Sequence, residues 1–216
     1  MTSFAKRDVK CRKCKHINSI QALMSTNTFG GSYDLDMRPP EMKRSTIFYW
    51  VSRCSKCGFC APDINRTKCD LRRMEMPQYA KIWETAEYPE KAREFLCWAW
   101  LAETVDVETT EYAYRNAAWI CDDMDSGHEM AAECRRKAVN WLRQLVSKDS
   151  EDGRYFSLIL ADVLRRIGEF ESAIELIHPY LEIEEMTPLE KKIASFQMTL
   201  CRAMDASCHN LAEVPE

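Results

Sequence analysis

Two short stretches of the sequence decide the architecture of its first part: residues 11–14 read CRKC and residues 54–58 read CSKCG. Each Cys-x-x-Cys turn, or knuckle, presents two sulfur atoms at once, and two knuckles supply the four soft ligands of a tetrahedral zinc site. Gly58 suits the second knuckle, because the residue after the second cysteine often adopts a positive φ angle. The pattern predicts one structural Zn²⁺ bound by Cys11, Cys14, Cys54 and Cys57. With four protein ligands, no coordination position stays open for water.

Other ligands and other roles for the thiols are alternatives at this point. Cys60, Cys69 and His16 are candidate ligands, but each would require a good knuckle to be abandoned. The 39 residues between the pairs exceed the roughly 15–20 of a minimal zinc ribbon, which predicts a structured insertion. Although the chain has 11 cysteines, many stand singly in helical segments, so we expect reduced thiols and not a disulfide scaffold. A redox switch, in which an oxidant converts knuckle thiols to disulfides and expels the metal, is a further hypothesis.

Charge divides the chain near residue 73. Residues 1–73 carry 15 Lys and Arg residues against 6 Asp and Glu residues, a net charge of +9, whereas residues 74–216 carry 15 against 28, a net charge of −13; the whole chain is at −4. We therefore predict a basic zinc-binding module over 1–73 and an acidic helical domain over 74–216. Either the basic module meets an acidic partner such as nucleic acid, or the two parts attract each other.

The second part has the apolar periodicity of helices. From about Pro77 onward, apolar residues recur three and four positions apart and glycines are few. The expected helices are Gln78–Ala86, Pro89–Thr104, Thr109–Asp123, Gly127–Val146, Gly153–Ile167, Glu169–Glu182 and Thr187–Ala206. Gly168, between Ala161 and Ala173, is typical of a tetratricopeptide pair, in which glycine permits the tight turn and alanine the close approach of helices. A weaker echo of the pattern is formed by Tyr114, Ala118, Ala131 and Ala138.

The expected fold is therefore mainly α: a small zinc-ribbon-like β module followed by a tetratricopeptide-like helical-repeat domain. In the first part, residues 45–53 read STIFYWVSR, and this β-branched and aromatic run predicts a strand leading into the second knuckle.

Several other residues are candidates for function. One hypothesis is that Asp34 and Asp36 form an acid/base pair or a second metal site. The favoured hypothesis is that they cap turns and pair with neighbouring basic residues. The helical cysteines are expected in the core instead of acting as nucleophiles; these are Cys97, Cys121, Cys134 and Cys201. Core packing is also expected for most of Trp98, Trp100, Trp119 and Trp141, although a helical array uses some aromatic residues for contacts.

The sequence resembles an uncharacterised bacterial family, a domain of unknown function with paired CPxCG-type knuckles, an intervening Asp-x-Asp segment and a tetratricopeptide-like tail. The residues that carry the resemblance are the two knuckles, residues 29–39 (FGGSYDLDMRP), Asn116 to Trp119, and the Gly168/Ala173 pattern. The chain departs from the family pattern where Arg12 and Ser55 replace proline and Lys15 replaces the first glycine. The resemblance implies zinc and helical repeats, and it brings no established activity.

These observations favour some functions over others. The longest apolar run, residues 95–102, is too short for a membrane helix, and residues 1–10 lack the apolar core of a secretory signal, so we expect a cytoplasmic protein. No HExxH, GxSxG or phosphate-loop motif is present, which favours a non-catalytic adaptor that binds a protein or peptide. Nucleic-acid binding by the basic module is the alternative. It would use Lys6, Arg7, Lys10, Arg12, Lys13, Lys15, Arg53, Lys56, Arg66, Lys68, Arg72 and Arg73.

Overall fold

A computed structural model describes residues 1–147 and 149–215. Two antiparallel two-stranded sheets lie in the first part and helices form most of the rest. The strands are β1 (Ser3–Lys10), β2 (Ile17–Ser25), β3 (Ser52–Arg53) and β4 (Cys60–Ala61). The helices are α1 (Glu41–Arg44), α2 (Pro77–Glu84), α3 (Glu90–Ala102), α4 (Val107–Asp122), α5 (His128–Leu142), α6 (Glu151–Arg166), α7 (Phe170–Ile177) and α8 (Pro188–Arg202).

Local sequence signals account for where several helices begin. The side chains of Asp106 and Ser150 accept hydrogen bonds from backbone N–H groups in the first turns of α4 and α6. Thr187 and Glu190 cap α8 reciprocally, with Pro188 at its first position. Each of these contacts satisfies a backbone donor that the helix itself leaves unpaired.

Helix ends follow from backbone chemistry as well. Gly168 ends α6 with a φ of +82°, a conformation that costs glycine little and lets α7 turn back onto α6. Pro179 has no backbone N–H to continue a helix, and the chain tightens there into a 3-10 helix, His178–Glu182. The continuous helix predicted over Glu169–Glu182 is thus divided in two. Each predicted helix otherwise corresponds to one of α2–α8, with ends shifted by a few residues.

The strand predicted over residues 45–53 is wrong for most of its length. Ile47–Tyr49 form a 3-10 helix, and only Ser52–Arg53 are extended. The Thr46 hydroxyl donates to the carbonyl of Lys43 and accepts from the Trp50 indole at 2.9 Å, which stabilises the turn. This turn brings Ile47 and Val51 into the core on the same side. Burial of two apolar residues four apart outweighs the β propensity of the segment.

The first part of the chain packs directly on the helices α2 and α3. Val51, Phe59 and Ile64 belong to the same buried cluster as Phe95 of α3. The Tyr79 hydroxyl donates to the carbonyl of Gly58 at 2.7 Å. The cluster therefore runs without a break from the knuckle region into the helical region. The boundary after residue 73 stays a prediction.

The insertion between the knuckles crosses the helical region as a strap, residues 33–40. The Leu35 N–H donates to the His209 carbonyl at 2.9 Å, and the Leu211 N–H donates to the Tyr33 carbonyl at 2.8 Å. Leu35 itself is buried in a second apolar cluster formed mainly by α6, α7 and α8. The structured insertion expected from the spacing of the knuckles is confirmed, and it ties the first part of the chain to the last.

The alanines that predicted close helix approach are fully buried in the α4–α5 and α6–α7 pairs, as Ala118, Ala131, Ala138, Ala161 and Ala173. Small side chains at these positions permit the helices to approach closely. Membership of the tetratricopeptide class stays a prediction. Within residues 1–147 and 149–215, none of the helices has both the length and the apolar character needed to span a membrane. The cytoplasmic location also stays a prediction.

Candidate metal centre

Each knuckle lies at the tip of a β-hairpin, one between β1 and β2 and the other between β3 and β4. The two tips share one backbone pattern. The Cys11 N–H donates to the His16 carbonyl and the Cys54 N–H to the Phe59 carbonyl, both at 2.8 Å. The residue after each second cysteine is left-handed, with a φ of +73° at Gly58 and +63° at Lys15. The positive φ expected at Gly58 is confirmed, and Lys15 adopts it without the benefit of glycine.

The four predicted cysteines come together in one cluster. Their sulfur atoms all lie within 4.8 Å of one another, with 3.7 Å between the sulfurs of Cys11 and Cys57 and 3.6 Å between those of Cys14 and Cys54. A tetrahedral ion with metal–sulfur bonds of about 2.3 Å separates its sulfur ligands by about 3.8 Å. The four thiols therefore already have the spacing of a metal site, and the cluster can hold a metal ion.

The surroundings of the thiols differ from one cysteine to the next. Burial raises the pKa of Cys11 and of Cys57 above the usual thiol value. Burial also acts to raise the pKa of Cys54, but backbone N–H groups of Cys57 and Lys56 outweigh it and lower the pKa to about 6. The Asn18 amide adds to this effect by donating to the Cys54 sulfur at 3.5 Å. Donors that point at a sulfur stabilise its thiolate form, which is the form that binds metal.

Asn18 is the functional residue that sequence reasoning missed. Its side chain is buried between the two hairpins, and besides donating to Cys54 it accepts from the Ser55 N–H at 2.9 Å. Asn18 thereby fixes the second knuckle from the first hairpin. A single asparagine in a polar segment has no distinguishing spacing, so no sequence signal pointed to it.

Basic residues surround the knuckles, as their sequence suggested, but most have other partners. Arg12 donates to the Thr67 carbonyl at 2.6 Å, and Lys13 pairs with Glu75 at 3.6 Å. The Arg53 guanidinium lies 3.8 Å from the Trp83 ring centre. These residues contribute positive charge near the cluster; Arg12 also holds the loop after β4, and Arg53 contacts α2 through Trp83.

The alternative ligands lie outside the cluster. In the described chain, Cys11, Cys14, Cys54 and Cys57 form the one group spaced for a metal ion. Cys60 is buried beside Cys97, and its sulfur donates to the Gly58 carbonyl at 3.3 Å. The helical cysteines, Cys97, Cys121, Cys134 and Cys201, are buried as predicted.

Asp34 and Asp36 have structural roles, and the charged partners of Asp36 are ones that the sequence did not suggest. Asp34 pairs with Arg44 at 2.8 Å, and Asp36 accepts from the N–H of Arg38 two residues along the strap. The other oxygen of Asp36 accepts from the Trp119 indole at 2.8 Å and from Arg166 at 3.1 Å, with Arg135 at 3.8 Å. Pairing with neighbouring basic residues is therefore correct for Asp34 and wrong for Asp36. The charged partners of Asp36 come from α5 and α6.

The tryptophans divide between core and surface. Trp98 and Trp119 are buried, as predicted for most of the set. Trp100 and Trp141 are half-buried and line a common cleft.

In comparisons with known proteins, no family model, no curated protein and no solved structure matches this chain. The resemblance to the bacterial family is thus without a matching family model. The features that it shares with the chain are the four-cysteine cluster and the helical region.

Proposed function

We propose that this protein is a non-catalytic interaction protein, an adaptor or scaffold, whose four cysteines bind one structural Zn²⁺ and whose helices bind a partner protein. The observation that carries the metal-binding part of the proposal is the spacing of the sulfur atoms, 3.7 Å between Cys11 and Cys57 and 3.6 Å between Cys14 and Cys54. A donor set of four thiolates favours zinc over the hard cations that prefer oxygen. When bound, the ion would hold its ligands as thiolates, and its coordination bonds would cross-link the two hairpins.

The position of the centre fits a structural role. The second hairpin packs on α3, where Lys91 donates to the Val51 carbonyl at 3.1 Å. A stack of helix pairs leaves an apolar face uncovered at each end, and a metal-bound module can cover one of them. Four protein ligands fill the coordination sphere, so the ion would have no open position for a substrate and would stabilise the fold.

The proposal of an adaptor predicts a protein partner that survives removal of nucleic acid. The test is purification of the tagged chain at its normal expression level, after nuclease treatment, followed by mass measurement of the eluted complex. We expect a second protein in fixed stoichiometry. Recovery of the chain without a second protein would overturn the proposal. So would a parallel purification without nuclease in which nucleic acid is the sole molecule that elutes with the chain.

A second candidate function, nucleic-acid binding, is favoured by one cleft beside the first knuckle. The cleft measures about 510 Å³, and the basic residues that line it are Lys10, Arg12, Lys15, Arg66 and Lys68. Of the carboxylates in residues 1–147 and 149–215, none lies within ion-pair distance of Lys10, Lys15 or Lys68. Unpaired cations in one cleft are suited to phosphate groups.

This candidate predicts binding that depends strongly on salt. If three phosphates are neutralised, the affinity of the full chain for a 20-mer DNA duplex should fall by roughly fortyfold between 50 and 200 mM salt. Fluorescence anisotropy of a labelled duplex measures this affinity. The double variant Lys10→Glu, Lys68→Glu should bind more weakly than the original chain, whereas Lys192→Glu on α8 should not. Absence of binding at 50 mM salt would remove this function.

A further inference from the structure

A groove lies between α2 and α5, with α3 and α4 beneath it. We call it the α2–α5 groove. Its volume is about 580 Å³, which is within the roughly 300–1,000 Å³ of ligand-binding clefts. Leu96 of α3 and Tyr114 of α4 are buried at its base, whereas Gln78 of α2 and Asn140 of α5 are exposed at its edges. The groove thus has an apolar floor and a polar rim.

Two half-buried tryptophans give the groove an aromatic surface. Trp100 is held in place by its indole N–H, which donates to the Arg73 carbonyl at 3.2 Å, and by the Arg73 guanidinium, 3.7 Å from its ring centre. Trp141, across the groove, is different: among residues 1–147 and 149–215, none accepts a hydrogen bond from its indole N–H. Tryptophan is enriched at the energetic centres of protein interfaces, since it combines a large apolar area with one polar donor.

Among the charged residues that line the groove, the one without an ion-pair partner in the part of the chain that the structure describes is a lysine. Lys81 has no carboxylate within ion-pair distance in the described residues, and Lys137 has one weak partner, Glu133, at 3.7 Å. The lining carboxylate, Glu103, is engaged by Arg73 and by the Tyr114 hydroxyl. Residues 74–216 carry a net charge of −13, so a groove lined by one unpaired lysine, one weakly paired lysine and a carboxylate that is already engaged differs from the acidic average of this part. Positive charge beside an apolar floor favours a ligand that is both acidic and apolar.

We propose that the α2–α5 groove binds a short acidic and hydrophobic segment of a partner protein. This inference rests on the proposed interaction function and names its surface. A large apolar side chain of the segment packs between Trp100 and Trp141, and a backbone carbonyl accepts from the Trp141 indole N–H. Carboxylates on either side of the apolar residue pair with Lys81 and Lys137. The aromatic contacts supply most of the affinity, and the lysines select the sign of the ligand charge.

The test uses the whole 216-residue chain and two pools of synthetic decapeptides with blocked ends. One pool contains Leu, Phe, Asp and Glu in random order, and the other has Lys in place of the acids. Binding is followed through the indole N–H signals of Trp100 and Trp141 in ¹⁵N NMR spectra. We expect the acidic pool to shift the Trp141 signal and the basic pool to leave it unchanged.

Two variants and a control locate the site. Lys81→Glu should weaken binding of the acidic pool at least tenfold, because it replaces an attractive charge with a repulsive one at an exposed position. Trp141→Ala should abolish binding, with the melting temperature measured in parallel to exclude unfolding. Lys192→Glu, at an exposed position of α8, is the control and should bind as the original chain does.

Several outcomes would overturn the inference. Equal binding of the basic pool would remove the charge argument, and unchanged affinity in Lys81→Glu and Trp141→Ala would place the site elsewhere. Binding of free acetate or benzoate with the same shifts would indicate a small-molecule site, and concentration-dependent dimerisation lost in Trp141→Ala would indicate a second copy of the chain. If a purified partner still binds both groove variants, the adaptor proposal holds and the groove is not the binding surface. If the chain has no protein partner, the adaptor proposal itself is wrong.

Discussion

Replacing Cys54 by serine is expected to release the bound metal and to lower the melting temperature by roughly 10–20 °C. Structural zinc contributes roughly 10–16 kcal/mol in isolated zinc-finger peptides. Here the hairpins are also held by the core around Phe59, so we expect the free energy of unfolding to fall by less, on the order of 5 kcal/mol. For a chain of this size, such a decrease lowers the melting temperature by roughly 10–20 °C. Thermal unfolding monitored by circular dichroism, with zinc measured by plasma mass spectrometry, checks both parts.

The matched control for this variant is Cys69→Ser. Cys69 was a candidate ligand from the sequence, but it lies outside the four-cysteine cluster. Its substitution should retain one zinc per chain and change stability by about 1 kcal/mol or less. Equal zinc loss in both variants, or full stability of Cys54→Ser without metal, would contradict the account of the centre.

Substituting asparagine for Asp36 is expected to destabilise the protein by about 3–5 kcal/mol at neutral pH, since it removes one partner from a buried charge network. Asp36 is 1% exposed. Its carboxylate and that of Asp122 together face the guanidinium groups of Arg135 and Arg166. Without the charge at Asp36, two buried arginines share one carboxylate. Urea unfolding at pH 7 measures the loss.

The pH dependence of the same carboxylate has a definite sign. Burial acts to raise the pKa of Asp36, but Arg166 and Arg135 outweigh it and lower the pKa to about 2. A carboxyl group with a lowered pKa stabilises the fold above its unfolded pKa, about 3.9, and this contribution is lost as the pH falls toward 2. The stability difference between the original chain and Asp36→Asn should therefore shrink between pH 4 and pH 2.

Asp8→Asn on β1 is the control for Asp36→Asn. Asp8 is exposed, and loss of its charge should change stability by no more than about 0.5 kcal/mol. If both substitutions have the same small effect, the strap is not held by its buried carboxylate.

The parts of the fold that the sequence predicted depend on local signals. Thr187, Pro188 and Glu190 mark the start of α8 within four residues, and Gly168 marks the end of α6. The knuckles are local too, since the two cysteines of each pair are only three residues apart in the chain. Such signals act over a few residues and can be recognised without knowledge of the rest of the chain.

The parts that escaped prediction depend on distant contacts. Asp36 meets Trp119 and Arg166, which are 83 and 130 residues away, and no local pattern in the strap announces these partners. Residues 47–49 have the composition of a strand, but the buried contacts of Ile47 and Val51 impose a helical turn. The net charges of the two parts likewise do not reveal that Asp36, the most buried acid of residues 1–73, pairs with Arg135 and Arg166 of residues 74–216.

Zinc K-edge X-ray absorption on the purified chain tests directly whether four thiolates bind one ion. We expect one zinc per chain with four sulfur neighbours at about 2.3 Å and no nitrogen or oxygen neighbour in the coordination sphere. A chain purified without zinc that stays folded in a chelator, or a spectrum with fewer than four sulfur neighbours, would contradict this expectation.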